Sequence, residues 1–265
     1  MTRDPGPHTR TGRTGGGPGS RIRDLLQWIS RVSSPHVTLL LILAVGLVPA
    51  LALTLVSAEV YESVAESDGI AGLDRPVLEY ALTLRSPGLD AAVTGFTNLA
   101  GSIGMPIIAG LIVLGMCLRW RSWTPLVLTA AAAAGSLLMT ISGKAIIGRT
   151  RPDLADAVPP YESSASFPSG HTLNSIVIAG ILAYLVILHV HTRRAKAAAV
   201  LAAAVFTLAV GLSRVYLGHH WLTDVLVAWT LGAAWLAVVI TAHQLLRRLH
   251  GRREAVPGSP PRRRR

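Results

Sequence analysis

Six stretches of roughly twenty residues run along this chain almost without charge, and they limit what it can become more than any other feature does. They cover Val37–Ser57, Leu99–Leu118, Trp123–Ser142, Thr172–Val190, Ala197–Val215 and Leu222–Leu246. A helix rises about 1.5 Å per residue, so each is long enough to cross a hydrocarbon layer about 30 Å thick. No water in that layer can satisfy a peptide group, so each stretch must close its own backbone hydrogen bonds as a helix. Charged residues make up 15% of the chain, against about a quarter in soluble domains. The expected fold class is therefore all-α, a polytopic six-span helical bundle. It would occupy residues 36–246, between basic tails at 1–35 and 247–265. The first tail is rich in Gly, Pro, Thr and Arg, a composition that predicts disorder. The first apolar block is too long for a cleaved signal peptide and lacks a small-residue cleavage pattern.

The placement of charge predicts an orientation. With both termini cytoplasmic, the tails and the turns at Arg119–Arg121 and Arg193–Lys196 hold 19 of the 25 Lys and Arg residues. The opposite side holds 11 of the 14 acidic residues. Lys and Arg close to span ends favour the cytoplasmic side, which gives an N-in, C-in, multi-pass cell-membrane protein. The formal net charge of +11 does not imply nucleic acid as a partner, because neither basic tail interleaves aromatic residues; a membrane surface accounts for both. Cys117 is the only cysteine, so no internal disulfide forms. The oligomeric state is not written in the sequence.

The first outer loop, residues 58–90, is acidic and carries Leu73, Val77, Leu78, Ala81, Leu82 and Leu84 at helical spacing. Two readings stay open: an amphipathic helix on the membrane surface that guides lipid, or a helix packed on the bundle.

The chemistry is expected where positive charge breaks the inside bias. Lys144, Arg149, Arg151 and Arg214 gather on the charge-poor side, at the mouths of the third and fifth spans, and an anionic substrate is their sharpest partner. At the mouth of the fourth span stands Phe167-Pro168-Ser169-Gly170-His171. Ser169 suits a helix N-cap, Gly170 permits close backbone approach, and the free N–H groups of such a helix end suit a phosphate. Between the last two spans, His220 and Asp224 stand four residues apart, a spacing that shares one helix face. A carboxylate that fixes one imidazole nitrogen leaves the other free to act as a nucleophile.

Taken together, Lys144-x6-Arg151-Pro152, Pro168-Ser169-Gly170-His171 and Ser213-Arg214-x5-His220-x3-Asp224 resemble the three-part signature of the phosphatidic acid phosphatase type 2 superfamily. The superfamily includes bacterial lipid phosphate and polyprenyl diphosphate phosphatases and shares its core with vanadium haloperoxidases. The resemblance implies that His220 attacks phosphorus with Asp224 orienting it, and that His171 serves the leaving group and then water. It implies that Lys144, Arg151, Arg214, Ser169 and Gly170 hold the phosphoryl oxygens, with Ser213 in support. His219 falls at the wrong spacing and is expected to be structural; Arg149 has no assigned role.

The expected function is hydrolysis of a lipid phosphate or diphosphate at the outer membrane face through a phosphohistidine. No metal and no cofactor are called for, so activity should survive chelation. Undecaprenyl diphosphate, phosphatidic acid and phosphatidylglycerol phosphate all fit, with a lean toward the polyprenyl carrier because an Arg- and Ala-rich chain reads as bacterial. The alternatives are a vanadate-dependent haloperoxidase and a non-catalytic lipid-binding or transport protein.

Overall fold

The computed structural model describes residues 35–254, and among these it contains helices and no strand. The chain divides into a short unit, residues 1–41, and a larger one, residues 42–265. In the short unit the described residues, 35–41, form the opening turns of α1. The helices are α1 (Pro35–Glu66), α2 (Asp74–Thr83), α3 (Pro87–Asn98), α4 (Gly104–Trp120), α5 (Thr124–Ile147), α6 (Gly170–His189), α7 (Arg193–Tyr216) and α8 (Leu222–Glu254).

All six apolar blocks are helical. Five of the helices, α1, α5, α6, α7 and α8, are long and apolar enough to cross a membrane. The sixth expected span, α4, is apolar but has 17 residues, since Leu99–Ile103 forms turns ahead of it rather than its first turn. At about 1.5 Å per residue it reaches about 25 Å, the lower end of spanning length. Two helices outrun the hydropathy pattern: α1 continues past Ser57 to Glu66, and α8 passes Leu246 to Glu254. The predicted disorder of residues 1–34 and the tail beyond Glu254 lie outside the described residues.

Helix α6 is the central element, packed against α5, α7 and α8. Leu173, Val177 and Ile181 are fully buried on it, and they meet Ala132 of α5 and Ala228 and Val239 of α8. Small residues let these helices come close, as is common where lipid supplies no hydrophobic drive between helices. A Cβ on Gly180 would fall 2.2 Å from Leu236, and one on Gly232 would fall 2.3 Å from Ile176. This tight contact fixes the depth of α6 against α8, and with it the relative positions of His171 and Asp224 in their first turns.

The segment between α1 and α4 holds two helices. On α2 the buried face is Asp74, Leu78 and Ala81, at i, i+4 and i+7, and the helix packs on α7 and α8. Of the two readings of this segment, packing on the bundle is the one observed. Helix α3 was not anticipated, although Ser86-Pro87 is a start signal: the Ser86 hydroxyl accepts from the Leu89 amide and Pro87 sits in the first turn. Arg85, between α2 and α3, donates to the Tyr216 carbonyl at the end of α7 (2.8 Å) and to the Asp156 carbonyl (2.6 Å). A cation on terminal carbonyls is favourable, and here it ties the α2–α3 connection to the end of α7.

Candidate active site

Each helix end at the site is shaped by its local sequence. Gly148 closes α5 in a left-handed conformation (φ 61°), its amide bonding to the Lys144 carbonyl, so Lys144 stands in the last turn. The chain then enters the α5–α6 segment with Arg149-Thr150-Arg151-Pro152. At the other end of that segment the Ser169 amide donates to the Asp224 carbonyl (3.3 Å), which ties the start of α6 to the start of α8. Gly218 follows α7 with φ 68°, and a Cβ there would lie 2.1 Å from the Asp156 carbonyl oxygen. Only glycine meets both conditions. The turn it makes delivers His219 and His220 to the site.

His220 is not on a helix, as the four-residue spacing suggested, because α8 begins at Leu222. The pairing with Asp224 arises instead from a cap. Asp224 occupies the third helical position, and its Oδ2 accepts from the Trp221 amide (3.0 Å), as the acidic partner of a capping box does. The same oxygen accepts from the Ser166 hydroxyl and lies 3.4 Å from His220 Nδ1. On the other edge of the ring, Arg151 Nη1 lies 3.2 Å from Nε2. A guanidinium can only donate, so Nε2 carries the lone pair and Nδ1 the proton. Burial pushes the His220 pKa down to about 4, and the nearby guanidiniums of Arg151 and Arg214 add to this against the raising effect of Asp224. The ring is neutral at ordinary pH, with its free lone pair toward the cations.

Those cations converge on one carboxylate, Glu162 of the α5–α6 segment. Arg151 Nη2 pairs with its Oε2 at 2.7 Å, Arg214 Nη2 pairs with its Oε1, and His171 Nδ1 lies 4.0 Å from Oε1. Burial alone would raise the Glu162 pKa, but Arg214 and Arg151 draw it down to about 2, so it is an anion throughout. Arg214 is 2% exposed, and its Nε–H has no partner among the described residues. Lys144 Nζ donates to Ser164 Oγ (3.1 Å) and to the Ala165 carbonyl, and Ser164 Oγ also accepts from Arg151 (3.2 Å).

The structure thus brings together Lys144, Arg151, His171, Arg214, His220 and Asp224. It does not bring the Ser169 hydroxyl into the cation cluster: that group is buried and lies 2.9 Å from Thr172 Oγ1. Ser169 is the N-cap residue of α6 by position, yet its side chain makes no capping bond. Gly170 packs close to Thr140, where a Cβ would sit 3.1 Å from Cγ2. Ser213 donates to the Val210 carbonyl (2.6 Å) and lies 3.0 Å from Thr97 Oγ1, which joins α7 to α3. His219 Nε2 bonds to the Val158 carbonyl at 2.7 Å, a loop tie. Glu162, Ser164, Ser166 and Asp74 were missed from sequence. Glu162 lay among three acidic residues between the first two motifs, with Asp153 and Asp156, and nothing in the sequence singled it out; the serines and Asp74 had no signal either.

Two polar cavities flank Glu162. One, about 480 Å³, is lined by Thr97, Gly101, Ser102, His171 and Arg214; the other, about 470 Å³, by Arg149, Arg151, Ser164 and Gly218. Gly101 and Ser102 also line an apolar groove of about 460 Å³ that runs between α4, α5 and α6 past Met105, Ala109, Leu137 and Ile178.

With this geometry in view, the comparisons with known proteins are direct. The family description of the PAP2 superfamily matches residues 123–248, which include all three motifs. Phosphatidylglycerophosphatase B of Bacillus subtilis (strain 168) is 35% identical over 168 residues, 63% of this chain and 81% of that protein. The chain belongs to the PAP2 superfamily. A crystal structure of a transmembrane PAP2-type phosphatidylglycerolphosphate phosphatase from Bacillus subtilis superposes with a TM-score of 0.69 and 29% identity, over 75% of this chain and 98% of that one. Membership of the PAP2 superfamily, together with the long apolar helices, makes the protein a multi-pass membrane phosphatase, a hydrolase of phosphate esters.

Proposed function

We propose that this protein hydrolyses a lipid phosphate at the extracytoplasmic face of the membrane through a phosphohistidine on His220. One observation carries the reading: Arg151 touches both the unprotonated Nε2 of His220 and a carboxylate held jointly by Arg214. A tetrahedral anion that takes the place of that carboxylate would meet the same guanidiniums beside the nucleophile.

In the first step the Nε2 lone pair forms a bond to phosphorus, and the bond from phosphorus to the lipid oxygen breaks. His171 gives that oxygen a proton. In the second step His171 takes a proton from water, the resulting hydroxide attacks phosphorus, and the N–P bond breaks to release inorganic phosphate. The proton stays on Nδ1 throughout, directed at the Asp224 carboxylate, which balances the charge on the ring. Arg151, Arg214 and Lys144 neutralise the equatorial oxygens where charge builds up, and the unpartnered Nε–H of Arg214 is available to one of them. At Ser169 and Gly170 the contribution reduces to the amide end of α6, since the Ser169 hydroxyl is already engaged.

A lipid substrate is supported by the apolar groove that shares Gly101 and Ser102 with the polar cavity, so a headgroup and its chain have adjoining surfaces. The outer-face, N-in, C-in orientation and the six-span count rest on the Lys and Arg distribution, with α4 as the short span. The relatives named above are phosphatidylglycerol phosphate phosphatases, which moves that lipid ahead of the polyprenyl diphosphate favoured by composition. The test is phosphate release by the purified protein from phosphatidylglycerol phosphate, phosphatidic acid and undecaprenyl diphosphate. The expected result is fastest turnover of phosphatidylglycerol phosphate and loss of all turnover in His220→Ala. Undiminished release by His220→Ala would overturn the mechanism, and preference for the diphosphate would overturn the substrate order.

A further inference from the structure

The hydrolysis scheme gives Arg149 no task, and its contacts explain why. Its described partners do not include Glu162 or either imidazole. Nη1 donates to Asp224 Oδ1 (2.7 Å) and to Thr223 Oγ1 (2.8 Å), while Nη2 donates to Asp74 Oδ2 (2.7 Å). The Trp221 ring lies against its guanidinium, 5.6 Å from the ring centre. Asp74 belongs to the first outer helix, α2, far from the motifs in sequence. Its Oδ1 accepts from the Thr223 amide (2.8 Å) and its Oδ2 from the Thr223 hydroxyl (2.7 Å). The Thr223 amide is one of the donors left open at the start of α8, so Asp74 caps that helix from outside while it grips Arg149.

The guanidinium is planar with fixed donor directions, so bridging two carboxylates fixes both. The side chains of Asp74 and Asp224 are 6% and 0% exposed, and loss of the bridge would leave a buried charge unpaired. With Oδ1 of Asp224 taken by Arg149, Oδ2 is the oxygen left to Ser166, the Trp221 amide and His220.

Building on the His220 mechanism, we infer that Asp74 and Arg149 are positioning residues of this phosphatase: they hold Asp224 by its far oxygen so that the near one faces His220, and Arg149 does not bind the phosphoryl group. Two signatures separate this role from a phosphate contact and from a merely structural one. The first is a split between kcat and KM. Arg149→Gln and Asp74→Asn lower kcat by roughly ten- to hundredfold, by analogy with the loss of partners that orient metal-bound histidines. Both leave KM and inhibition by inorganic phosphate within about twofold.

The second signature is a pair of opposite shifts in the acid limb of kcat/KM. His220 is faced by Asp224 from α8, Arg214 from α7, His171 from α6, and Arg151 and Glu162 from the α5–α6 segment. Arg149→Gln removes the cation that offsets Asp224, so His220 holds its proton more tightly and the limb moves to higher pH. Asp74→Asn leaves Arg149 to act on Asp224 unopposed, and the limb moves to lower pH. Arg149→Lys keeps the charge but spans the two carboxylates poorly, so it restores the pH profile without restoring full kcat.

The experiment measures kcat, KM, the inhibition constant of inorganic phosphate and the pH profile for these three variants, with wild type and His220→Ala in parallel. Should Arg149→Gln destabilise the fold, the downward shift in Asp74→Asn decides alone. A phosphate inhibition constant raised fivefold or more in Arg149→Gln, or a limb moving the same way in Arg149→Gln and Asp74→Asn, overturns the inference. Turnover that persists in His220→Ala overturns the mechanism beneath it instead.

Discussion

His220 is fully buried among guanidiniums, and that setting fixes the pH at which it can act. With its pKa pressed down to about 4 by burial and by Arg151 and Arg214, the ring keeps its lone pair as the solution becomes mildly acidic. The sign follows directly: acid protonates Nε2 and removes the nucleophile, so the acid limb of kcat/KM is centred near pH 4, not 6.5. A profile already half lost at pH 6.5 would mean that the ring is not desolvated in this way. Glu162, with a pKa near 2, keeps its charge over the same range and competes with substrate for Arg151 and Arg214. Glu162→Gln removes the competing charge, so the inhibition constant of inorganic phosphate should fall by roughly three- to tenfold, about 0.6–1.4 kcal/mol. Weaker inhibition by phosphate would show that Glu162 recruits the anion instead. At this scale the sequence disclosed residue types and order: both histidines, Asp224 and the cations of the motifs were readable because the chemistry demands them at set spacings. Glu162 and Asp74 were not readable as site residues. Each meets its partners only through the tertiary fold, and no spacing rule connects residue 74 to residue 223.

Among the elements, the connections align the site that the helix ends supply. The Gly218 turn is the clearest case, since it combines a left-handed backbone with a carbonyl oxygen where a side chain would stand. Gly218→Ala should cost at least about 1–3 kcal/mol from backbone conformation alone. It should also push the Asp156 carbonyl away and carry His219 and His220 with it. A lowered melting temperature in detergent, with kcat reduced further than KM is raised, checks this; an unchanged melting temperature counts against it. Helix existence was legible from hydropathy, because lipid leaves a twenty-residue apolar segment no other structure. Helix ends were less legible. Apolar content says where a helix enters lipid, not where its hydrogen bonds stop, so α1 and α8 extend past their apolar blocks and α4 starts late. The His220–Asp224 pair shows the same limit. Four-residue spacing implied a helical face, but the contact is made by a carboxylate folded back over the helix start.

For the whole molecule, the proposed orientation sets a test that needs no substrate. On a Cys117→Ser background, a cysteine introduced at the exposed Ser163 should react with a membrane-impermeant maleimide in intact cells, while one at Arg194 should react only after permeabilisation. The reverse pattern would place the site on the cytoplasmic side. The matched family segment begins at residue 123, yet two of the ties that hold its ends come from before it. Arg85 grips the last carbonyl of α7 and Asp74 the second amide of α8, one on either side of the turn that carries His220. The stretch between α1 and α4 therefore works as a yoke across the catalytic turn. A piece of the protein that kept every signature residue but lost this yoke would retain the reagents of the reaction and lose their alignment.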